Sequence, residues 1–335
     1  MSGRGQTFIY ERAPRVAAHA SIVGPKESKG PLAEFFDEAS QDDLFSQKTW
    51  ELGESEMLRR CAQRAMRDGG LAREEVRAFF SGDLNNQIIA TGFAARALGL
   101  PFVGLYGACS TFVEGLVLAS ALISAGELDN ALCAASSHFC TAERQFRYPL
   151  EMGTQRPPSA QWTATAAGCA LLRDDAQSGL RVTAGTLGRI EDYAIKDANH
   201  MGAAMAPAVL STLLAHLDDT GASAEDFDLI ATGDLGWIGR DILLALAERA
   251  GRPIPPEKLV DCGASLFFQE QDTHAGGSGC GCVASVSCGW LMKRMERGEL
   301  GKVLLVGSGA MLSPTSTMQS ESIPGIAYTV RLEVK

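Results

Sequence analysis

The sequence predicts an α/β fold built as two copies of one unit, and three observations predict it. Gly107-Ala108-Cys109-Ser110 and the helical run ending at Gly126-Glu-Leu-Asp-Asn-Ala-Leu132 are echoed 172 positions later, without a gap, by Gly279-Cys280-Gly281-Cys282 through Gly298-Glu-Leu-Gly-Lys-Val-Leu304. A second echo, Ala78-Phe-Phe-Ser-Gly-Asp-Leu84 against Leu229-Ile-Ala-Thr-Gly-Asp-Leu235, has the shorter offset of 151, which implies an insertion in the first half. Short apolar runs also alternate with helical runs in both halves, the pattern of a parallel sheet with crossover helices. The halves are expected at 1–175 and 176–335.

Residues 1–50 are punctuated by Gly24, Pro25, Gly30 and Pro31 and read as an edge strand and a loop. Met57, Leu58, Cys61, Ala65 and Met66 recur at helical spacing over 54–67, and Asp68-Gly69-Gly70 stops that helix. Strands are expected at 76–81, 102–106 and 131–136, with helices over 86–98 and 111–125. Residues 137–162 break this rhythm and read as a long loop that mixes cations with aromatics, the kind of segment that carries function. The runs 163–172 and 180–187 read as a β-pair turned at Asp174-Asp175 and Gly179. Beyond them come a helix over 196–217, a strand at 229–232, a helix over 241–250, a glycine-rich segment with its long helix, and a strand at 302–308.

The 335 residues are 46% hydrophobic and 21% charged, enough apolar material for one large core or two fused ones. A net charge of −10 without any basic stripe argues against nucleic acid. Nine cysteines, an odd number set mostly in apolar runs with no signal peptide before them, read as reduced core residues. The apolar stretch 97–126 is interrupted by Pro101, five glycines and Glu114, so it reads as a strand and a buried helix and not as a membrane span.

Cys109 ends a strand and opens a helix, so its sulfur should face the positive end of that helix and be more acidic than a free thiol. From spacing alone it is either a functional thiol or a buried structural one. Gly107-Ala108-Cys109-Ser110, in a chain that duplicates a βα unit, resembles the thiolase and ketoacyl-synthase superfamily. That resemblance implies a five-layer αβαβα sandwich in which two sheets enclose the helices after Cys109 and Cys280. It also implies that Cys109 matches the acyl-accepting cysteine and that a homodimer can form through the N-terminal half.

Thr141-Ala-Glu-Arg-Gln-Phe-Arg-Tyr-Pro149, Arg156-Pro-Pro-Ser-Ala-Gln-Trp-Thr-Ala-Thr165 and His274-Ala-Gly-Gly-Ser-Gly-Cys-Gly-Cys282 narrow the resemblance. Together they are similar to the stage V sporulation protein AD family. What this implies is a non-enzymatic protein that binds dipicolinic acid (pyridine-2,6-dicarboxylate), with calcium as its companion. Its work would be uptake into the developing spore and release at germination, peripheral to the spore inner membrane on the forespore core side, with membrane-embedded partners of the same system. No cofactor is implied. The alternatives are an acyl-CoA condensing enzyme using Cys109 as acyl acceptor, and a structural scaffold in the same complex.

Departures from the enzymes favour binding over catalysis. Of the two histidines of decarboxylating ketosynthases, one looks matched by His274, while Thr232 stands at the place of the other. Losing such a donor costs about a hundredfold or more in rate. The late cysteine of Claisen thiolases is absent from Val306-Gly-Ser-Gly-Ala310.

A dicarboxylate asks for planar, bidentate arginine. Arg144 and Arg147 in the irregular segment are the candidates, with His138 before them and Arg156 after; the competing reading pairs these cations with Glu143 and Glu151. Phe146, Tyr148 or Trp162 could stack on the pyridine ring, or pack in the core. Asn85 and Asn86 are candidate donors at a strand's carboxyl end, and Asp83 either orients a cation or caps the turn. His274 with Cys280, Cys282 and Cys288 lacks the paired knuckles of a structural zinc site, so no metal is expected. The glycines over 276–281 are expected to let backbone pass close to the Cys109 turn.

Overall fold

The ten principal strands and their crossover helices follow mostly from runs of Ala, Val, Leu, Ile and Cys buried on both faces, while the edge strand at Phe102–Gly104 is exposed. In the computed structural model, which describes residues 5–147 and 149–335, the strands are β1 (Arg15–Val23), β2 (Phe79–Gly82), β3 (Phe102–Gly104), β4 (Asn130–Ser137), β5 (Ala166–Arg173), β6 (Leu180–Leu187), β7 (Leu229–Thr232), β8 (Leu259–Asp261), β9 (Lys302–Ala310) and β10 (Gly325–Val334). The spatial order β3-β2-β4-β5-β1 is repeated by β8-β7-β9-β10-β6, and β1 meets β6 at the single pair Arg15↔Arg181. In both halves the first three strands of that order run parallel and the last two pairings are antiparallel. The duplication read from two sequence echoes therefore extends to every strand, including β8 and β10, for which no local signal stood out.

The helices complete five layers. Helices α1 (Trp50–Asp68) and α2 (Ile89–Leu98) cover one sheet. Helix α3 (Thr111–Ser124) touches strands of both sheets, so it needs apolar residues on all sides; Phe112, Leu116 and Ile123 are fully buried, worth about 1.5–3 kcal/mol each. After the short α4 (Phe139–Phe146), helices α5 (Met201–Thr220) and α6 (Gly236–Arg249) cover the other sheet. The second central helix, α8 (Cys280–Val286), follows a five-residue helix α7 (Cys262–Leu266) and continues through a π turn at Ser287–Leu291. Gly126 and Gly298, equivalent in the repeat, both adopt left-handed φ (80° and 74°) where the central helices stop. Helix α5 is long and apolar enough to cross a membrane, but it packs on β9 and β10 and two-thirds of its apolar window, 67%, is buried.

Three expectations change. The runs at 163–172 and 180–187 are not a β-pair: β5 pairs with β1 and β4, and β6 with β10, because consecutive strands here belong to different halves. The supposed loop 137–162 contains α4, whose N-cap is the imidazole of His138. Helix α2 starts at Ile89 and not at 86, since Gln87 and Ile88 are left-handed. The glycine-rich backbone does pass close to the Cys109 turn, with the Gly279 N–H beside the sulfur and Ser278 Oγ 4.0 Å from it, and Gly309 makes a second close pass, where a Cβ would lie 2.4 Å from the Gly107 carbonyl.

Gly168 of β5 shows how tightly α8 lies on its sheet: a Cβ there would sit 2.2 Å from the backbone carbon and oxygen of Ala284. Gly168→Ala should lower unfolding stability by about 1–3 kcal/mol or more, as overpacking of a close-packed interior does. Chemical denaturation checks this, and an unchanged midpoint would mean that the helix rides further from the sheet.

Candidate functional site

Strands β2, β3 and β4 of one half and β7 and β9 of the other end around one hollow, the edge where open α/β sheets gather ligands. Cys109 lies at its floor in a tight turn, Ala108–Ser110, ahead of α3. The turn is held by Ser110 Oγ donating to Gly107 O (2.6 Å) and by Thr111 Oγ1 donating to Ala108 O (2.8 Å), and it forces Ala108 to φ 50°. Such strain in a residue with a Cβ persists only where the surroundings fix it.

Two connected spaces lead to this turn. An inner chamber of about 30 Å³ touches Cys109, Arg147, Thr163, Met201 and Ser278. An outer vestibule of about 400 Å³ is lined by Asn85, Asn86, Gln87 and Ile88 from one half and Met311–Pro314 from the other. Tyr106, Phe146 and Leu312 border both and form the throat between them.

Of the two arginines singled out in the sequence, the structure brings one to the chamber. Arg147 follows α4, its side chain is 4% exposed, and its Nη1 donates to Glu143 Oε2 (2.8 Å). Among the described residues its Nη2 meets only the Met201 sulfur (3.8 Å) and its buried Nε has no acceptor. One edge of the guanidinium is thus engaged by Glu143, and among the described residues the other has a thioether as its one polar neighbour. Arg144 is elsewhere: it is half-exposed, paired with Glu51 and lying over the Trp50 ring (5.4 Å). Residue 148, another candidate, lies outside the described residues.

His138 does not reach the chamber either. Its Nδ1 accepts from Cys140 N (3.1 Å) as the cap of α4, while Nε2 bonds Asp43 O (2.8 Å). Burial pushes its pKa below the usual histidine value, consistent with a neutral ring. Asp83 caps its own turn, accepting from Asn85 N and Thr91 N (both 2.7 Å). Asn85 donates its amide to the buried carboxyl of Glu54 (3.0 Å), which also accepts from Thr141 and Ser136. Burial, followed by the nearby Asp83 charge, raises the pKa of Glu54. Asn86 alone of this group is exposed in the vestibule.

The two residues matched to catalytic histidines are also displaced. Thr232 donates to Asp261 Oδ2 (2.7 Å), within a buried cap in which Asp261 also accepts from Leu235, Gly236 and Ala264 N–H groups. His274 sits at φ 52° with its Nε2 3.5 Å from Asp272 Oδ1, and it lines neither space.

Beside Cys109 stand Ser278, whose Oγ is 4.0 Å from the sulfur, and behind it Asp234. Asp234 is fully buried and accepts from Ser278 Oγ (3.0 Å), Gly279 N (2.7 Å) and Ser308 Oγ (2.8 Å). Gln161 ties the same layer together by donating to the Asp234 and Gly277 carbonyls. Ser278, Gln161, Met201 and Leu312 were not singled out from the sequence, since a lone hydroxyl, amide or apolar side chain carries no local signal.

The expected acidic thiol is reversed. Burial first, and then the Asp234 carboxylate, drive the Cys109 pKa well above the ordinary thiol value, outweighing the field of α3.

Comparison with known proteins agrees with this architecture. The family model of stage V sporulation protein AD matches residues 4–333. Stage V sporulation protein AD of Bacillus subtilis (strain 168) is 38% identical over 328 residues, which cover 98% of this chain and 96% of that one. Among solved structures, cerulenin-bound OleA of Xanthomonas campestris superposes with a TM-score of 0.62 at 14% identity, covering 96% of this chain and 100% of the other. The 3-oxoacyl-[acyl-carrier-protein] synthase III of Aquifex aeolicus VF5 gives 0.57 at 13%, covering 96% and 99%. These structural likenesses establish the thiolase-like fold, and the sequence match goes further: the chain belongs to the stage V sporulation protein AD family.

Proposed function

We propose that this protein binds dipicolinate in the Cys109 chamber and does not turn it over. The observation that carries the reading is the unsatisfied edge of Arg147. A buried guanidinium with no acceptor on Nε is costly, and a carboxylate laid along Nε and Nη2 would satisfy both donors in the bidentate geometry that arginine favours. Glu143 holds the opposite edge and so fixes the direction in which that fork points.

The chamber at about 30 Å³ has room for a water or two, so a pyridine ring enters by displacing side chains. Met201 and Phe146 line it, and an unbranched thioether is the side chain that repacks most readily. The second carboxylate then faces the throat and the vestibule, where Asn86 lies, and not the Asp234 carboxylate behind Cys109. Among the described residues no group of three His, Cys, Asp or Glu side chains could hold a metal ion, so calcium in this reading travels on the ligand's own carboxylates.

Absence of turnover is supported by the surroundings of the thiol. Acyl transfer needs a thiolate and donors aimed at a developing oxyanion. Cys109 instead faces a buried carboxylate that opposes negative charge, with Thr232 bound to Asp261 and His274 beside Asp272. The condensing-enzyme alternative draws on the strained Cys109 turn and on a fold shared with enzymes.

In the cell the protein would work on the forespore core side, peripheral to the spore inner membrane, with membrane-embedded stage V partners, first in uptake and then in release. A homodimer through the first half is supported by the exposed apolar edge at Phe102 and Val103 of β3.

Equilibrium dialysis with dipicolinate tests the reading. Arg147→Gln should weaken binding about tenfold to a hundredfold, the scale of a lost charge-assisted contact, whereas Arg144→Gln should leave it unchanged. Equal affinities for wild type and Arg147→Gln would move the ligand out of this chamber. A second expectation concerns the thiol: Asp234→Asn keeps the shape and removes the charge, so the pH profile of Cys109 alkylation should shift to lower pH. Rapid wild-type alkylation at neutral pH, or acyl-CoA turnover abolished by Cys109→Ala, would instead support the enzyme.

A further inference from the structure

On the far side of the Arg147–Glu143 pair lies a separate groove of about 270 Å³, lined by Phe139, Glu143, Leu150, Arg156 and Trp162 among others. Trp162 and Thr163 form a two-residue strand paired in parallel with Gly277 and Ser278. Alternation along a strand sends neighbours to opposite sides, so Thr163 reaches the Cys109 chamber while Trp162 reaches this groove. Phe139 stacks flat on the indole, with ring centroids 3.6 Å apart and planes 7° from parallel.

Two cations converge on the same indole. Lys26 Nζ is 3.9 Å from the ring centroid and Arg156 Cζ is 4.8 Å from it. Arg156 gives its Nη2 to the backbone oxygen of Asp272 (2.6 Å) and its Nη1 to that of Gln161 (3.4 Å), and so it takes no carboxylate there. The Asp272 carboxylate faces His274, and the Glu143 carboxylate in the groove wall is engaged by Arg147. Next to Lys26, Glu27 is buried with one oxygen on Thr165 N, and burial raises its pKa to about 7, so it is a weakened counter-charge. Burial first and then the Arg156 charge lower the Lys26 pKa, against the opposing pull of Glu27 and Asp272.

We propose that Lys26, Arg156 and Trp162 form a second anion-binding site, distinct from the Cys109 chamber, where the indole ends this groove and Lys26 meets it from outside the groove's lining, for the phosphate or carboxylate group of a small organic molecule. An anion bridging the ammonium and the guanidinium relieves their mutual repulsion, and the apolar walls from Phe139 and Leu150 take the rest of the ligand. The indole sets the spacing of the two cations and excludes water from one side of them.

Competitive acetylation of the full-length protein, read by mass spectrometry, tests this, with the exposed Lys196 as internal reference. Under titration with inorganic phosphate or with dipicolinate, Lys26 labelling should fall hyperbolically relative to Lys196, about tenfold at ten times the fitted dissociation constant. Protection by one probe alone names the favoured anion, and protection by both marks a general site; each upholds the proposal. Arg156→Gln should remove the protection and Arg147→Gln should keep it, which separates this site from the chamber. In the wild type, added sodium chloride should weaken the protection, a check that needs no substitution. No protection with either probe overturns the proposal. So does protection that survives Arg156→Gln and is lost in Arg147→Gln.

Discussion

A single carboxylate without access to water, that of Asp234, holds the floor of the site together. It gathers Ser278 and Gly279 from the glycine-rich segment and Ser308 from β9, so two chain segments of the second half are fixed to its own turn by one acceptor behind Cys109. Removing a partner from such a buried cluster would leave an unsatisfied charge, which is why the arrangement is rigid. Burial first, and then this same charge, suppress the thiol. The interaction that builds the pocket is therefore also the one that disfavours nucleophilic chemistry within it.

The two halves have divided their work along this line. In the first half, Asp83 closes its own turn and Glu54 ties α1 to Asn85, β4 and α4. That hub positions α4, and α4 delivers Arg147 to the chamber with Glu143 one turn behind it. In the second half, the turn after β7 is capped by Asp261, which releases Asp234 to face Cys109. One ancestral geometry thus serves two ends: a cation is presented from one side and an anion is buried on the other.

Much of the architecture was legible because the repeat is spaced without gaps through both central helices, and a close-packed helix between two sheets tolerates little drift. The β-pair at 163–187 misled because Asp174, Asp175 and Gly179 are turn formers, and turn chemistry does not say which sheet the next strand joins. Helix α4 was missed for lack of length and because its cap is an imidazole nitrogen, which no capping rule anticipates. Arg147 was legible by charge type alone, and nothing in the sequence separated it from Arg144 three residues earlier, which lies within the helix and pairs with Glu51 while Arg147 stands just past its end. Thr232 and His274 were assigned by motif position, which fixes a backbone location but not where a side chain points. Glu54 and Gln161 act across 87 and 116 positions of sequence, to Thr141 and Gly277, and left no local trace.

The most direct measurement is a crystal structure of the protein grown with dipicolinate. The expected result is a planar ligand between Cys109 and the throat, with one carboxylate on Nε and Nη2 of Arg147, Met201 displaced, and the sulfur of Cys109 unmodified. Ligand density elsewhere with the Nε and Nη2 edge of Arg147 still open, or an acyl group carried on Cys109, would contradict it.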